Sequence, residues 1–469
     1  MDNSKIKTIF ISLSSPAVFR NLFFFPGSFF EQVKKNLKES DDYKIILLMS
    51  SHYQKKYGVF FEKILPELNG KLIIETADIS IKKNLWQRFF YFFYSYLIYT
   101  GTTKLMATMG TRPDEPPAGG KWYLAFLKIL IARTFGNSKF IKLKIVPYLF
   151  LRIFKERSFK VFFEKYQPDL IFATHLYGWP DAQLIAEAKR QKVKTIGMPA
   201  GWDHLDKYFL PFHTDILLAQ SEQVKEVAIK YQAYQSAEIV VTGYPHFDFI
   251  SRQNYLMPRE EILKSLGFPA EAKIVLYVSG SAYCPDEPDI IERILKWADE
   301  GKFGFDVRVV IRPYQGGRSK DKEFDQQKFD HFHSHPRVAF YQREFWGDLE
   351  KSNYFMNILA HADVVISVYS TMVLEAAVLD RPLMAIGFDG YQKRPFARSI
   401  RRFEEFEHFQ DVLKTGALKT AYNFEELFGY LNTYLKDPRL DGEARKLLRE
   451  KVCGRLDGLA SQRISQIIF

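Results

Sequence analysis

Short runs of apolar residues alternate with longer amphipathic stretches along most of the chain. In the first hundred residues the runs at 7–13, 44–49 and 72–75 predict strands, and residues 31–38 predict a helix between the first two. Strands separated by helices are typical of a parallel sheet that is covered on both faces. The beginning of the chain therefore predicts an α/β fold.

The same alternation returns after residue 168 and continues to the end of the chain. Further strands are predicted at 168–175, 194–198, 215–220, 239–242, 273–278, 306–311, 338–341, 363–367 and 383–386. Ser221 precedes a helix at 222–231 and is expected to cap it. With a linker at 251–258, the pattern predicts two α/β domains, residues 1–252 and 258–445. Residues 446–469 are expected to return to the first domain as a helix.

Residues 81–165 interrupt the alternation. The stretch 85–99, LWQRFFYFFYSYLIY, is almost wholly aromatic or aliphatic, residues 111–120 are rich in Pro and Gly, and residues 121–165 carry many Lys and Arg side chains. Basic amphipathic helices with Trp and Phe are typical of surfaces that bind anionic lipid. The same pattern fits helices packed on the first sheet with solvated lysines, so the sequence leaves both interpretations open.

The membrane interpretation depends on two sets of side chains in this insert. The groups expected to enter the headgroup boundary are Trp86, Phe89, Phe92, Phe93, Tyr96, Trp122, Phe126 and Ile129. The groups expected to meet anionic lipid are Lys121, Lys128, Arg133, Lys139, Lys142 and Lys144.

Composition narrows the choice of partners and of cellular compartment. The 469 residues carry a formal net charge of +11, which favours an anionic partner. The basic residues cluster with aromatic ones rather than along a nucleic-acid-binding motif, so no nucleic acid is expected. Two cysteines, the lack of a signal peptide and the lack of a spanning apolar run predict a cytoplasmic protein. If the insert binds lipid, the protein is expected on the inner face of the cell membrane.

The stretch 361–391 carries the most specific pattern for ligand binding. A buried strand leads through the polar turn Tyr369-Ser370-Thr371 into a helix at 372–379. Ser370 or Thr371 is expected to cap this helix, whose free N–H groups attract an anion. Glu375, one turn further on, can reach a ribose while the turn holds phosphate. An ordinary βαβ unit with a solvated Glu375 is the other interpretation.

Two more strand ends are expected to complete this donor site. Ser279, Gly280 and Ser281 follow one strand, where the Gly lets backbone N–H groups approach a phosphate closely. An ordinary strand-end turn is the other interpretation of this stretch. Arg312 and Tyr314 follow the next strand. Carboxyl ends of parallel strands share one edge of a sheet, so these groups are expected to converge into a diphosphate cradle. The run HFHSH at 331–335 could chelate a metal, but it lies in a polar loop and a solvated loop is the favoured interpretation. No metal is therefore predicted.

Candidate catalytic residues follow two strands of the first domain. His175 ends the strand 168–175, and Asp203 and His204 follow the strand 194–198. An imidazole or carboxylate can take the proton of a hydroxyl that attacks an activated donor. The order of expectation for this general base is Asp203, His175, His204.

From about residue 168 to its end, the chain resembles the GT-B glycosyltransferase superfamily. It is most similar to the CDP-glycerol glycerophosphotransferase and UDP-GlcNAc 2-epimerase relatives. The similarity rests on Asp363, the Ser370-Thr371 pair, Arg381-Pro382, the string GYPHFD at 243–248, and Asp457-Gly458 with Arg463. The resemblance implies two Rossmann-like domains that face a cleft, with the helical aromatic and basic insert in the first.

The resemblance also implies a function. The main expectation is a metal-independent glycosyltransferase, without cofactor, that moves a sugar from a nucleotide-sugar donor to a surface-polysaccharide or lipid-linked glycan acceptor. Transfer of a polyol phosphate from a CDP-polyol is the alternative, although Tyr314 stands near the place where such relatives often carry a His. A 2-epimerase is less favoured because a Gly-Asp-Arg near the end of the first domain is missing. A non-catalytic sugar- or nucleotide-binding protein remains open.

Overall fold

The computed structural model of the protein describes residues 6–79, 83–110, 122–314, 323–325, 327–341 and 348–469. The chain divides into two units. The first comprises Met1–Thr103, Phe126–Phe249 and Gly454–Phe469, and the second comprises Lys104–Ala125 and Ile250–Cys453. Each unit contains one parallel β-sheet with helices around it, as the apolar pattern predicts. The predicted Pro/Gly-rich loop at 111–120 lies outside the described residues.

The sheet of the first unit has seven parallel strands in the order β3-β2-β1-β4-β5-β6-β7. They are β1 (Lys7–Leu13), β2 (Tyr43–Met49), β3 (Leu72–Thr76), β4 (Leu170–Ala173), β5 (Lys194–Gly197), β6 (Ile216–Ala219) and β7 (Ile239–Val241). Central strand β1 pairs with β2 along its whole length and with β4 on its other side. Ile9, Phe10 and Ile11 of this strand are all buried, which explains why its apolar run does not alternate.

The helices up to residue 252 surround this sheet or build the insert. The α-helices are Pro16–Val18, Phe29–Glu39, Ser51–Glu62, Leu85–Ser95, Gly101–Thr108, Ala125–Thr134, Val146–Ile153, Lys160–Tyr166, Trp179–Gln191, Glu222–Val227 and Pro245–Arg252. The Ser221 side chain accepts from Val224 N–H, so the predicted cap is confirmed. The helix after it continues as a π-helical turn, Ala228–Gln232.

The last helix, Ala460–Ile468, is part of the first unit. Asn36 Nδ2 in the helix Phe29–Glu39 donates to Ser465 Oγ at 2.9 Å. The carboxylate of Asp248 accepts from two backbone N–H groups at the start of the last helix, those of Ala460 at 3.0 Å and Ser461 at 2.7 Å. A carboxylate at this end complements both the free N–H groups and the positive dipole end. Asp248 of the GYPHFD string thus holds the chain terminus in place.

The sheet of the second unit has six parallel strands in the order β10-β9-β8-β11-β12-β13. They are β8 (Lys273–Val278), β9 (Val307–Arg312), β10 (Val338–Phe340), β11 (Val364–Ser367), β12 (Leu383–Ile386) and β13 (Leu418–Ala421). Its α-helices include Arg259–Ser265, Glu287–Asp299, Leu349–His361, Met372–Val378, Glu407–Lys414, Phe424–Lys436 and Gly442–Leu448. The edge strand β13 was not predicted, because Lys419 and Thr420 interrupt its short apolar run.

The described helices of the insert have one buried and one exposed face. In the helix Leu85–Ser95 the rings of Phe90 and Tyr94 are buried, whereas Trp86 is 77% exposed. Phe89 and Phe126 are likewise exposed. The interpretation as packed helices therefore describes the buried face, and the interpretation as a membrane surface describes the exposed face. None of the described helices combines the length and the hydropathy that a membrane-spanning segment requires.

Two lysines expected to meet lipid are buried instead. Lys128 and Lys142 are each only 6% exposed. The ammonium of Lys128 lies 4.7 Å from the ring centre of Tyr96, and Lys142 donates to the Tyr231 carbonyl at 2.9 Å. Burial lowers the pKa of Lys142 to about 8. Their long stems cover apolar surface, so these two predictions are wrong. The remaining members of the basic set that the structure describes, Arg133, Lys139 and Lys144, are exposed.

Candidate functional site

The three candidate catalytic residues of the first unit lie together. His175 follows β4, and Asp203 and His204 lie in the loop after β5. The ring centroids of His175 and His204 are 5.2 Å apart, and Asp203 Oδ1 lies 3.8 Å from His204 Nε2. Because β4 and β5 are adjacent parallel strands, their carboxyl ends bring these loops together.

Asp181 supports the loop that carries His175. It is fully buried in the first turn of the helix Trp179–Gln191. Its Oδ1 accepts from Ser12 Oγ at 2.7 Å and from the backbone N–H of His175 at 3.2 Å. The carboxylate therefore links the ends of β1 and β4, and fixes the backbone of His175.

The backbone beside His175 is strained. Leu176 has a φ of +55°, in the left-handed region that disfavours an L side chain. Across it, Tyr177 N–H donates to the His175 carbonyl at 2.6 Å, which closes a tight three-residue turn. Strain of this kind persists where the surrounding contacts fix the conformation, and it is frequent at functional sites.

Lys207 is a member of this cluster that the sequence analysis missed. It pairs with Asp203, four residues before it in sequence. Burial by itself would lower the pKa of Lys207, but the neighbouring Asp203 carboxylate outweighs that effect and the pKa is raised. The sequence signal that could have identified Lys207 was its spacing of four residues from the opposite charge of Asp203. The Asp203 carboxylate is therefore paired with the ammonium group of Lys207.

Both imidazoles are neutral at physiological pH. Burial is the main cause that lowers the pKa of His175, and burial lowers that of His204 to about 4. In each ring the Nδ1 atom is buried and has no hydrogen-bond partner. A neutral imidazole retains a lone pair that can accept a proton, so both rings have the form that a general base requires.

In the second unit, several polar groups of the turn Ser279-Gly280-Ser281 are hydrogen-bonded within the protein. Gly280 N–H donates to Glu287 Oε1 at 2.9 Å, and Ser281 Oγ donates to Asp325 at 2.9 Å. Ser279 Oγ accepts from Tyr314 N–H at 2.9 Å. The expectation that Gly280 offers its N–H group to a phosphate is not met in this structure, because a buried carboxylate already occupies it.

A buried ion pair, missed by the sequence analysis, holds that turn. Lys328 Nζ lies 2.8 Å from Glu287 Oε2 and donates to the Gly280 carbonyl at 2.9 Å. Both side chains are almost completely buried. Desolvation is the largest effect on the pKa of the Glu287 carboxyl and raises it, whereas the neighbouring Lys328 ammonium acts in the opposite direction. Lys328 lies some forty residues from Glu287, so sequence spacing gave no signal for the pair.

Arg312 and Tyr314 extend from the end of β9. The guanidinium carbon of Arg312 lies 4.6 Å from the ring centre of Phe355, a cation–π distance. The Arg312 carbonyl accepts from Ser279 N–H at 3.1 Å, which joins the ends of β8 and β9. Residues 315–322, which continue this strand end, lie outside the described residues.

The polar turn after β11 differs in detail from the prediction. Neither Ser370 nor Thr371 caps the helix Met372–Val378 with its side chain. Their backbone carbonyls instead accept from Val373 N–H at 3.2 Å and Leu374 N–H at 3.0 Å. Ser370 Oγ lies 2.8 Å from Ser367 Oγ. The turn is thus closed by the backbone, and the Thr371 side chain is exposed.

Glu375 is buried, not solvated. Its side chain is only 1% exposed. Burial, and next to it the charge of the Glu375 carboxylate, raise the pKa of Tyr255. A carboxylate one turn inside a helix therefore faces the protein interior, and its contact with a donor ribose stays a prediction.

Within the described ranges, no three His, Cys, Asp or Glu side chains are grouped so that they could hold a metal ion. Cys284 and Cys453 are buried free thiols. Burial raises the pKa of both thiols, so neither has thiolate character.

Comparison with known structures identifies the fold. Nearly the whole chain superposes on UDP-GlcNAc 2-epimerase from Neisseria meningitidis, with a TM-score of 0.53, 11% identity and 98% of each chain covered. The chain has a GT-B fold. A glycosyltransferase from Rickettsia africae gives a TM-score of 0.51 at 10% identity, again with 98% of both chains covered. UDP-GlcNAc 2-epimerase from Methanocaldococcus jannaschii gives 0.50 at 13% identity, covering 98% of this chain and 99% of that one.

A family model matches part of this GT-B chain. Residues 327–469 match the family CDP-glycerol:poly(glycerophosphate) glycerophosphotransferase. The matched segment contains Ser370, Thr371 and Glu375, and begins after Arg312 and Tyr314. No curated protein sequence matches the chain significantly.

Proposed function

We propose that the protein transfers a polyol phosphate from a CDP-polyol donor to a hydroxyl group of a polymeric acceptor. The match of residues 327–469 to the glycerophosphotransferase family carries this proposal. It favours the alternative of the sequence analysis over the expected sugar transfer, for which the solved structures supply a shared fold alone.

The proposed reaction is a phosphoryl transfer. The acceptor oxygen attacks the phosphorus atom that carries the polyol, a new P–O bond forms, and the bond to the CMP oxygen breaks. The acceptor proton passes to a base, and the charge that develops on CMP needs cationic or N–H partners. The candidate residues therefore fall into two groups, those that can act as the base and those that can bind the CDP group.

For the base, the geometry favours an imidazole over Asp203. Asp203 is paired with Lys207, whereas His175 and His204 are neutral and their Nδ1 atoms have no partner. We therefore assign the proton transfer to His204 or His175. The Asp203 carboxylate, 3.8 Å from His204 Nε2, favours the protonated form of that ring by its charge. The imidazoles thus come before Asp203, contrary to the order expected from the sequence.

For the donor, the proposal keeps Arg312, Ser370, Thr371 and Glu375 as contacts of the CDP group. Arg312 is only partly buried at a strand end and can bind phosphate oxygens in bidentate form. Tyr314 stands where a His was expected, but this position precedes the matched segment, so the match does not bear on it.

We also propose that the exposed face of the insert binds an anionic membrane surface. Leu85, Trp86 and Phe89 form an exposed apolar edge of the helix Leu85–Ser95. The exposed cations Lys139 and Lys144 add attraction to anionic headgroups, about 1 kcal/mol each near the surface. Such attachment would bring the enzyme to a lipid-linked acceptor.

A donor panel tests the proposed function. Purified protein is incubated with CDP-glycerol, CDP-ribitol and several nucleotide sugars, and the release of nucleotide is measured by chromatography. Release of CMP from a CDP-polyol supports the proposal. Release of a nucleoside diphosphate from a nucleotide sugar would restore sugar transfer, and tight binding without turnover of any donor would indicate a non-catalytic protein.

A further inference from the structure

The side chains of His175 and Asp181 each place one polar atom at the same small space in the first unit. A Cβ atom built on Gly178 would lie 2.8 Å from His175 Nδ1 and 3.6 Å from Asp181 Oδ2. A residue with a side chain would occupy that space, so the glycine keeps it open between the two atoms. The imidazole nitrogen and the carboxylate oxygen therefore face each other across Gly178.

Both of these atoms are buried, and neither has a hydrogen-bond partner among the described residues. Asp181 is fully buried, whereas His175 is partly exposed. Buried polar atoms are nearly always hydrogen-bonded, so two of them at one space are expected to interact, directly or through one water molecule. The proton between them determines which nitrogen of the neutral ring keeps a lone pair.

The charge of Asp181 decides where that proton lies. Its Oδ1 accepts from Ser12 Oγ at 2.7 Å and from the His175 backbone N–H at 3.2 Å. Both donors are neutral groups, so they leave the negative charge unbalanced. A carboxylate attracts the positive end of an N–H bond and repels a lone pair. The carboxylate therefore favours a proton on His175 Nδ1.

The pKa of His175 reflects the same neighbour. Burial lowers this pKa, and the Asp181 carboxylate is the strongest of the charges that act in the opposite direction. Asp203 acts in the same direction as Asp181, and Lys207 acts with burial. Asp203 is itself paired with Lys207, whereas the two donors to Asp181 carry no charge.

We propose that Asp181 is the positioning residue of His175, and that its carboxylate holds the neutral ring in the tautomer with the proton on Nδ1 and the lone pair on Nε2. A hydroxyl group that approaches the ring can then donate to Nε2, as a proton acceptor requires. The tautomer rests on the geometry around Gly178, whereas its part in turnover rests on the proposed function. One carboxylate thus fixes both the backbone and the ring of His175.

NMR of the histidine side chains measures this tautomer without any substrate. In protein labelled with ¹⁵N-histidine, long-range ¹H–¹⁵N spectra distinguish protonated from unprotonated ring nitrogens, and the signals of His175 are identified by their loss in His175→Gln. At neutral pH the wild-type protein is expected to show a protonated Nδ1 and an unprotonated Nε2. A protonated Nε2, alone or in an equal mixture of the two tautomers, would overturn the inference.

Asp181→Asn changes the one atom on which the proposal depends. The amide oxygen can keep both bonds of Oδ1, and the amide NH₂ group then replaces Oδ2. Because that group donates to Nδ1, the variant is expected to move the proton of His175 to Nε2. Ser12→Ala removes a donor to the other oxygen and is expected to leave the tautomer unchanged.

Circular dichroism checks that both variants are folded. An unchanged tautomer in folded Asp181→Asn would overturn the inference, as would an equal change in Ser12→Ala. If Asp181→Asn does not fold, the spectrum of the wild-type protein still decides between the two tautomers.

Turnover assays distinguish this inference from the proposed function. With CDP-glycerol and an acceptor, Asp181→Asn is expected to lower kcat tenfold or more and to leave the KM for CDP-glycerol unchanged. If the wild-type protein has the expected tautomer but releases no CMP, the proposed function fails and the tautomer stands. If CMP is released and Asp181→Asn moves the proton without lowering kcat, the part of Asp181 in turnover fails and the function stands.

Discussion

The imidazole rings of His175 and His204 lie 5.2 Å apart, centroid to centroid, at the ends of two adjacent parallel strands. Both rings are neutral because they are buried, and each has an Nδ1 atom without a hydrogen-bond partner. Two neutral imidazoles at adjacent strand ends form a site suited to deprotonating a hydroxyl group.

Replacing His204 tests the assignment of the base. His204→Gln keeps a polar side chain but removes the basic nitrogen, and we expect turnover to fall about 100-fold or more. The affinity for the CDP-polyol, measured by isothermal titration calorimetry, is expected to stay the same. His175→Gln serves as the matched variant: if it alone loses turnover, His175 is the base and His204 positions the substrate.

Replacing Asp203 distinguishes a general base from a carboxylate that stabilises a protonated imidazole by its charge. Asp203→Asn removes the charge opposite Lys207, and we expect a smaller loss of turnover than in His204→Gln. A steady-state comparison of the two variants at one pH decides the point. An equal or larger loss in Asp203→Asn would return the carboxylate to the role of general base.

The buried imidazoles also predict how stability depends on pH. The pKa of His204 is about 4 in the folded protein, against an ordinary value of 6.5. Between these values the unfolded chain binds more protons than the folded one, so the free energy of unfolding falls as the pH falls through this window. The shift corresponds to about 3 kcal/mol for this group.

Urea unfolding at several pH values between 7 and 4 measures this dependence. His204→Gln is expected to flatten the fall in the free energy of unfolding without abolishing it, because the pKa of His175 is lowered too. An identical pH dependence in the variant and the wild-type protein would contradict the assignment of a buried neutral His204.

Much of this architecture could be predicted from the sequence, because strands and helix caps depend on residues that are close together in the chain. The strand predicted at 7–13 coincides with β1, and the one at 383–386 coincides with β12, because a strand covered on both faces needs an unbroken apolar run. Ser221 was recognisable as a cap for the same reason: the bond it accepts comes from three residues away. Such features need no knowledge of distant contacts.

The interior of the candidate site could not be predicted in the same way. The Gly280 N–H group looked available to a phosphate, but Glu287 and Lys328 occupy the space beneath it. Lys128 and Lys142 looked like surface cations, but aromatic rings and a backbone carbonyl receive their ammonium groups. Gly280 and Glu287 are seven residues apart, but the other contacts join residues that are far apart in sequence. Residue type alone does not reveal such contacts.

The Glu287–Lys328 pair makes a specific prediction about stability. Lys328→Met leaves a buried carboxylate without its cation, and we expect the free energy of unfolding to fall by about 3–5 kcal/mol. The double variant Lys328→Met/Glu287→Gln removes both charges and is expected to recover part of the loss. Chemical denaturation checks both variants, and no recovery in the double variant would mean that packing, rather than charge, is lost.

The proposed membrane surface predicts a charge-dependent attachment. Lys139→Glu/Lys144→Glu reverses two exposed charges of the insert and is expected to abolish sedimentation with anionic vesicles at low salt. Lys142 is left unchanged because it is buried. Lys35→Glu/Lys55→Glu makes the same charge change on other exposed helices of the first unit and is expected to leave vesicle binding intact. Failure of the unmodified protein to bind such vesicles would refute the attachment.

The central claim is tested most directly by following the donor and the polymer in one reaction. CDP-glycerol carrying a labelled glycerol is incubated with the enzyme and a glycerophosphate-primed acceptor, and both CMP and label on the acceptor are measured. The account predicts one glycerol phosphate transferred for each CMP released, with both signals lost in His204→Gln. Labelled sugar on the acceptor from a nucleotide-sugar donor, with no transfer from CDP-glycerol or CDP-ribitol, would contradict it.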